Sequence, residues 1–517
     1  MALAMGADLG VVSELGDQES VIRSFEKAEA QTVIVAGHYP HGTNSGIAAL
    51  MQRIRSEGKS PYLEGPLDLV NKPSFAERGF HLNGGWPLNY PYGFRTWKEE
   101  DWKRFVDIAW IQSLLLAVGA LGAFMVLVGA LSPAPRRTGT PPAGPFVSVI
   151  VPAKDEEAVI EATVRSLCAM DYHDAGGPRY EIMVVDDGST DRTAEILKSL
   201  SLALPVKIVR TPPGSVGKAA ALNLGITRAR GDLIAVCDAD ARVAPDFLLR
   251  MVASLAGSEA AGAQSQRRLY NAGQNLLTRI QDDEYRLFYR PLQRARQVLG
   301  GMVSFSGNGL LLRRDVLQEV GGWNDEALTE DIDLSLRFHL AGYQIRYCEE
   351  AVVWEEAVPR LRDLIRQRIR WFEGAMRCLG DHLPAILFGR VNFFKRLDMV
   401  SFLSGGLIVT LSLLTTYLYG VIDVTGAVVL YIQLPRKLTT WTSGLITTGV
   451  FLAMLVELRG RVWEIAPVLV RSGLFSLHRL VVVPLAIHRY VRSAITGHTI
   501  WEKTTHGVPV PPREHDL

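Results

Sequence analysis

In the middle of this chain, β-branched runs alternate with helix-forming segments, and two of the runs end in paired carboxylates. No other feature of the sequence narrows the fold as far. FVSVIVPA (146–153) leads into an acidic helix start at Asp155 to Glu157, EIMVVDD into TAEILKSL, and PVKIVRT into KAAALNLGITRAR, before DLIAVCDAD closes the series. This βαβαβαβ order predicts a mostly parallel sheet with helices on both faces. Ligands of such sheets collect at the carboxyl ends of the strands, which is where Asp186, Asp187, Asp238 and Asp240 fall.

The rest of the chain divides around that core. Its 517 residues exceed one ordinary domain. A net charge of +1 singles out neither nucleic acid nor an acidic partner. A mean hydropathy of +0.12 with 21% charged residues suggests a soluble body joined to membrane segments. Residues 108–131 (IAWIQSLLLAVGALGAFMVLVGAL) carry no charge and are long enough to cross a hydrocarbon core of roughly 30 Å. Further apolar stretches run over 399–422 and 441–456, while 475–487 is interrupted by His478 and Arg479 and reads as interfacial. The expected division is an amino-terminal α/β region (1–105), a transmembrane helix (106–132), a proline-rich linker (133–145), a catalytic domain (146–395), transmembrane and interfacial helices (396–495) and a tail (496–517). The first apolar stretch starts too late for a cleavable secretory signal. Cys168, Cys237, Cys348 and Cys378 have no metal-type spacing and read as reduced thiols. Arg95, Lys98, Lys103 and Arg104 precede the first span and Arg136 and Arg137 follow it, so the charge bias does not assign its orientation.

In the amino-terminal region QTVIVAG reads as a strand and SGIAALMQRIRSEG (45–58) as an amphipathic helix ending at a glycine. His38 and His41 lack a cysteine or carboxylate partner nearby and read as loop histidines rather than metal ligands.

Each motif of the central region has a structural reading beside its chemical one. DDGSTD suits a helix start by itself. A second acidic cluster at another strand end goes beyond capping, because Asp-X-Asp turns both carboxylates to one side and suits a hard cation. Asp238 and Asp240 are therefore expected to hold Mg²⁺ or Mn²⁺ against a diphosphate. Gly217 and Lys218 open the helix between the two clusters and fit a pyrophosphate neighbourhood. GGMVSFSGNGLLLRR follows a strand (AQSQRRLYN) and a long helix over 274–298; with its small residues, Gly307 and Asn308 among them, it reads as an acceptor-site loop. In LTEDIDLSLRF, Thr329 is expected to cap a helix carrying Glu330, Asp331 and Asp333. Acids are favourable there in any case, but attack by a sugar hydroxyl needs one carboxylate as general base. Asp331 is assigned that part, with Glu330 adjusting its environment. QRIRW then supplies Gln367, Arg368 and Arg370 for diphosphate and the Trp371 indole for an acceptor sugar ring.

VDDGSTD, DAD, TED and QRIRW, in that order, resemble the membrane-integrated family-two glycosyltransferases: cellulose, hyaluronan and poly-N-acetylglucosamine synthases and their glycolipid-making relatives. The resemblance covers roughly 146–371, and more loosely the membrane segments and the closing IWEKTTHG. It implies a GT-A, Rossmann-like catalytic domain inserted between transmembrane helices, and an inverting single displacement giving a β-linkage. It further implies that Asp187 contacts the uracil and ribose, Asp238 and Asp240 the diphosphate and metal, and Gln367, Arg370 and Trp371 the donor diphosphate and acceptor. The implied partners are a UDP-sugar (glucose or N-acetylglucosamine), a saccharide or lipid acceptor and membrane lipids, with no nucleic acid. The implied location is the plasma membrane, with the catalytic domain cytosolic. The SGNG loop and GGWNDE are similar to β-glucosyl-diacylglycerol synthases, although those relatives more often carry Asp where this chain has Glu330.

The leading expectation is extension of a polysaccharide; glycosylation of diacylglycerol or another lipid is the alternative. A catalytically inactive scaffold is a third reading, opposed by the intact Asp238, Asp240, Asp331 and Arg370.

Overall fold

In the computed structural model the residues described are the segments 20–27, 30–37, 54–57, 60–63, 68–71, 117–133, 144–214, 217–425 and 436–496. The chain divides into two compact units, the first over Met1–Ile111 with 429–435, the second holding everything else. Each is described by itself.

The second unit is built on an eight-stranded sheet. Its strands are β1 (Val147–Ala153), β2 (Tyr180–Asp186), β3 (Val206–Arg210), β4 (Leu233–Val236), β5 (Arg242–Val243), β6 (Gly262–Leu269), β7 (Leu310–Arg313) and β8 (Ile345–Glu355), in spatial order β3-β2-β1-β4-β7-β6-β8-β5. The four strands anticipated from the alternation are parallel neighbours. The sheet then turns mixed: β7 runs antiparallel between β4 and β6, and β8 pairs parallel with β6. β1 and β4 are buried along their whole length, as strands covered on both faces must be. Helices α1 (Ile160–Cys168), α2 (Thr193–Ala203), α3 (Lys218–Arg228) and α4 (Phe247–Leu255) connect them. The apolar core lies in two large clusters, one containing Val149, Val151 and Phe247, the other Ile150, Met183 and Phe305. Odd and even residues of β1 thus feed opposite layers.

The long helix expected over 274–298 is α5 (Leu276–Glu284) and α6 (Arg290–Leu299), joined by a π turn at Tyr285–Tyr289. α7 (Arg314–Glu319) leads to α8 (Glu330–Leu340), which carries the TED acids, and α9 (Leu361–Phe388) carries QRIRW. Thr329 sits at the cap position of α8, but its side chain makes no capping bond. Instead its Oγ1 lies 3.7 Å from the Cys378 Sγ on α9. The four cysteines are free thiols, as expected, and all but Cys168 are buried.

The apolar segments form helices: Ala117–Leu131, α10 (Phe393–Thr425), α11 (Arg436–Glu457), α12 (Ile465–Ser476) and α13 (Arg479–Thr496). Residues 108–116 of the first expected span lie outside the described residues. The segment expected to be interfacial, 475–487, is part of a longer run. Val462–Thr496 is, among the described residues, the one helical run long and apolar enough to cross a membrane. Only 17% of its most apolar window is buried, whereas a core helix of a soluble domain would be mostly covered. Buried ion pairs join these helices to the sheet domain. Arg296 on α6 contacts Asp398 on α10 at 3.1 Å, and Glu373 on α9 holds Arg377 at 2.8 Å and Arg489 of α13 at 3.2 Å.

In the first unit, strand Ala30–Gly37 contains the expected QTVIVAG strand and pairs antiparallel with Ser20–Lys27, which also pairs with Asp68–Asn71. The helix expected over 45–58 is corrected in part. Ile54–Glu57 is a strand paired with Ser60–Leu63, with Ile54 opposite Leu63 and Arg55 opposite Tyr62. Cross-strand pairing with Ser60–Leu63 overrides the helical period of the segment. Residues 45–53, His38 and His41 lie outside the described residues.

The α8–α9 junction gives a test. Alanine normally favours a helix over glycine by about 1 kcal/mol, but a Cβ at Gly374 would lie 2.4 Å from the Thr329 methyl. Gly374→Ala should therefore destabilise the protein by about 1–3 kcal/mol. A lowered denaturation midpoint would show this; an unchanged or raised midpoint would contradict the close approach.

Candidate active site

Lys218, the first residue of α3, draws the distant motifs together. Its Nζ lies 2.6 Å from Asp238 Oδ1 and 3.3 Å from Glu330 Oε1, and donates to the Gly307 carbonyl at 3.1 Å. Burial pulls its pKa down, but Asp238 and Glu330 outweigh burial and raise it, so it stays charged. Gly307 has φ +79°, and a Cβ there would press on Lys218 Nζ at 3.3 Å and on Asp331 Oδ2 at 3.4 Å. Glycine therefore lets the loop lie against both charged groups.

Asp331 projects from the first turn of α8, with Oδ1 accepting from the Ile332 amide at 2.9 Å. Burial, and then the neighbouring Glu330 carboxylate, push its pKa up to about 6. Such a value suits a base that works near neutrality. Asp238 is also raised, by burial above all, in spite of its lysine contact.

Asp187 is buried at the end of β2. It is 3.3 Å from Lys154 Nζ and accepts from Thr211 Oγ1 at 3.2 Å and the Gly217 amide at 3.0 Å. Asp186 instead folds back on its own turn, accepting from the Ser189 amide at 2.9 Å. Asp240 Oδ2 accepts from the Glu356 amide at 2.8 Å, which ties the DAD turn to the end of β8. Asp333 pairs with Arg337 at 2.8 Å and His382 at 2.9 Å and belongs to the scaffold of α8.

Asn308 was expected to meet the acceptor, and the structure buries it completely. Its Oδ1 accepts from the Asp238 amide at 3.0 Å and its Nδ2 donates to Glu355 Oε2 at 3.1 Å. It is a strut behind the site. Glu355, at the end of β8, accepts in turn from Arg267 Nε at 2.9 Å and Tyr285 Oη at 3.2 Å. This Asn308–Glu355–Arg267–Tyr285 network was missed from the sequence. Its signal was there: Glu355 and Glu356 follow a β-branched run just as the two aspartate clusters do.

On α9, Gln367, Arg368, Arg370 and Trp371 all line the cavity described below. Arg370 Nε is buried with no hydrogen-bond partner among the described residues, which fits a donor awaiting a ligand. Arg368 is already engaged: its Nη2 donates to Glu284 Oε2 at 2.6 Å, and its guanidinium lies 4.5 Å from the Trp371 ring and 5.7 Å from that of Phe475. Its Nε, like that of Arg370, is buried with no hydrogen-bond partner among the described residues.

One cavity of about 1050 Å³ connects these groups. Asp187, Lys218, Asp238, Asp240, Glu330, Asp331 and Gly307 line its polar part. It continues past Trp371 between apolar helices, reaching Met125 and Val126, Phe402 and Ile408, and Phe475, Val482 and Val483. Among the described residues no three His, Cys, Asp or Glu side chains form a preformed metal cage.

Comparison with known proteins agrees with this geometry. Residues 148–321 match the family model for glycosyl transferase family 2. A β-monoglucosyldiacylglycerol synthase from Nostoc is 38% identical over 50% of this chain and 55% of its own length. A poly-β-1,6-N-acetyl-D-glucosamine synthase from Staphylococcus epidermidis is 28% identical over 48% of this chain and 59% of its own. The chain thus spans little more than half the length of the curated relatives it matches. A mannosyltransferase from Pyrobaculum calidifontis, solved with GDP-mannose and Mn²⁺, superposes with TM-score 0.51 at 21% identity, over 72% of this chain and 98% of its own, and shares the GT-A fold.

A base must be ionised to act, so transfer should rise with pH through an apparent value of about 6 and level off above it. Glu330→Gln removes a like charge and should shift that limb to lower pH. Profiles of kcat/KM for both proteins test this; a limb that stays in place in the variant counts against Asp331 as the titrating group.

Proposed function

We propose, from the match of residues 148–321 to the glycosyl transferase family 2 model, that this protein transfers a hexose from a UDP-sugar to a lipid at a membrane surface. The observation that carries this reading is the continuous cavity. Its polar part suits a sugar nucleotide, and its extension between apolar helices suits acyl chains. This departs from the polysaccharide product favoured by the motifs alone, and the 38%-identical relatives named for a glucosyl-lipid product support it. The exposed apolar run Val462–Thr496 supports placement in a membrane.

In the proposed reaction Asp187 holds the nucleoside, and Lys218, Gln367 and Arg370 face the diphosphate. Asp331 accepts the proton of the acceptor hydroxyl as its oxygen bonds to the anomeric carbon. The bond from that carbon to the diphosphate oxygen breaks on the opposite face, and UDP departs with the electron pair. The configuration inverts. Trp371, braced by Arg368, offers its ring to the sugar.

A divalent cation fits the acidic side of this site. Lys218 is the common partner of Asp238, Glu330 and Asp331 and cannot neutralise all three, yet a diphosphate must bind among them. Asp238 and Asp240 would hold Mg²⁺ or Mn²⁺ with the donor supplying further oxygens, the usual arrangement where the protein gives one or two carboxylates. The bound ion would supply neutralisation of charge on the departing diphosphate.

The test is a radiolabelled transfer assay on the full chain in lipid nanodiscs with Mn²⁺ or Mg²⁺, comparing UDP-glucose with UDP-N-acetylglucosamine. Label in the organic phase as a single glycolipid is the expected result; label in a long, lipid-insoluble chain would establish a polysaccharide synthase instead. Asp331→Asn should abolish transfer while leaving UDP binding within about twofold, and retained turnover would remove Asp331 as base. UDP binding without turnover from any donor in the unmutated protein would favour the scaffold reading.

A further inference from the structure

The helical wall of the cavity is broken at one place. α12 ends at Ser476 and α13 begins at Arg479, with Leu477 and His478 between them. Ser472, Phe475, Ser476, His478 and Arg479 all line the cavity there. In an apolar wall, an arginine and two serines facing one cavity call for an explanation.

Arg479 has no ion pair or hydrogen bond among the described residues. The charged groups that face it are Glu284 and Arg368, and the Glu284 carboxylate is already held by Arg368 at 2.6 Å. The next arginine along the helix, Arg471, is also satisfied, by Asp283 at 2.6 Å. Two guanidinium groups therefore share one carboxylate, leaving a net positive charge at the cavity wall. Withdrawing a cation from water without a counter-ion is costly, and a guanidinium fork matches phosphate oxygens in two parallel hydrogen bonds.

We propose that Arg479, with Ser476 and Ser472, forms a subsite for the phosphate headgroup of an anionic lipid in the apolar arm of the cavity, beyond the Trp371–Arg368–Phe475 stack. This rests on the reading that the cavity admits lipid. Phosphate could also come from the donor. The lipid source is favoured because the subsite lies in the helical wall with Val482 and Val483, on α12 and α13, while the donor-facing charges lie on the sheet domain (Lys218, Asp238, Asp240) and on α9 (Arg370).

The experiment uses the full chain and two readouts. In detergent, native mass spectrometry compares retention of phosphatidylglycerol and phosphatidylcholine. In nanodiscs, transfer to diacylglycerol is followed as the phosphatidylglycerol fraction rises. The unmutated protein should prefer phosphatidylglycerol. Arg479→Gln should lose that preference by about tenfold, the loss expected for one charge-assisted hydrogen bond, and Arg479→Lys should keep part of it. The Kd for UDP should be unchanged in both variants, which also shows that they are folded. Equal retention of the two lipids by the unmutated protein, or an undiminished preference in Arg479→Gln, overturns the proposal. A weakened UDP Kd in Arg479→Gln overturns it in favour of the donor diphosphate. Absence of transfer to diacylglycerol with the binding preference intact would sink the proposed acceptor while sustaining the subsite.

Discussion

A half-buried lysine among carboxylates is the constraint on which the site depends. Asp238 closes β4, Glu330 opens α8 and Gly307 lies in the loop before β7; Lys218 reaches all three from the first turn of α3. A single ammonium with three donors can satisfy such a convergence, and it holds the acids close without neutralising them all. The raised Asp331 follows from burial and from the like charge of the neighbouring Glu330, which outweigh the lowering pull of Lys218. One placement thus sets both the geometry of the donor pocket and the basicity of the group beside it.

The sheet domain by itself would make half of the cavity. The other half comes from helices whose apolar faces need something to register against, and the buried ion pairs provide it. Arg296 with Asp398 fixes α10, and Glu373 with Arg377 and Arg489 fixes α13 against α9. Each pair is costly to bury and costlier to break, because the survivor would be left unpaired. Directional contacts of this kind specify one packing of otherwise featureless helices. Trp371 is placed by Arg368, whose guanidinium lies against both its ring and that of Phe475.

The parallel half of the sheet was legible in the sequence because β1 to β4 are short β-branched runs separated by helix-forming segments. The antiparallel insertion of β7 was not, since it depends on LLLR pairing with both β4 and β6, a long-range choice that no local period records. The acids and QRIRW were legible as chemistry. Which of their neighbours line the cavity was not: Asn308 looks like a ligand contact in sequence and is a buried brace in space. Residue type declares what a side chain can bond; only packing declares which bonds are already made.

The same distinction bears on the acceptor. The motifs are shared by enzymes that elongate sugars and enzymes that glycosylate lipids, so they describe how the hydroxyl is activated and leave open what carries it. The carrier is selected farther out, by whatever surrounds the path from Asp331 outward. Here the cavity takes in Trp371, Phe402 and Phe475 and the aliphatic stretches of Met125, Val126, Ile408, Val482 and Val483, interrupted by Ser472, Ser476 and Arg479. Such walls offer a sugar chain few hydrogen bonds in exchange for those it gives up to water, and they offer an acyl chain the burial it gains from. On the proposed lipid acceptor, the anchor is therefore met by helices from both sides of the catalytic domain in sequence, Ala117–Leu131 before it and α10 and α13 after it.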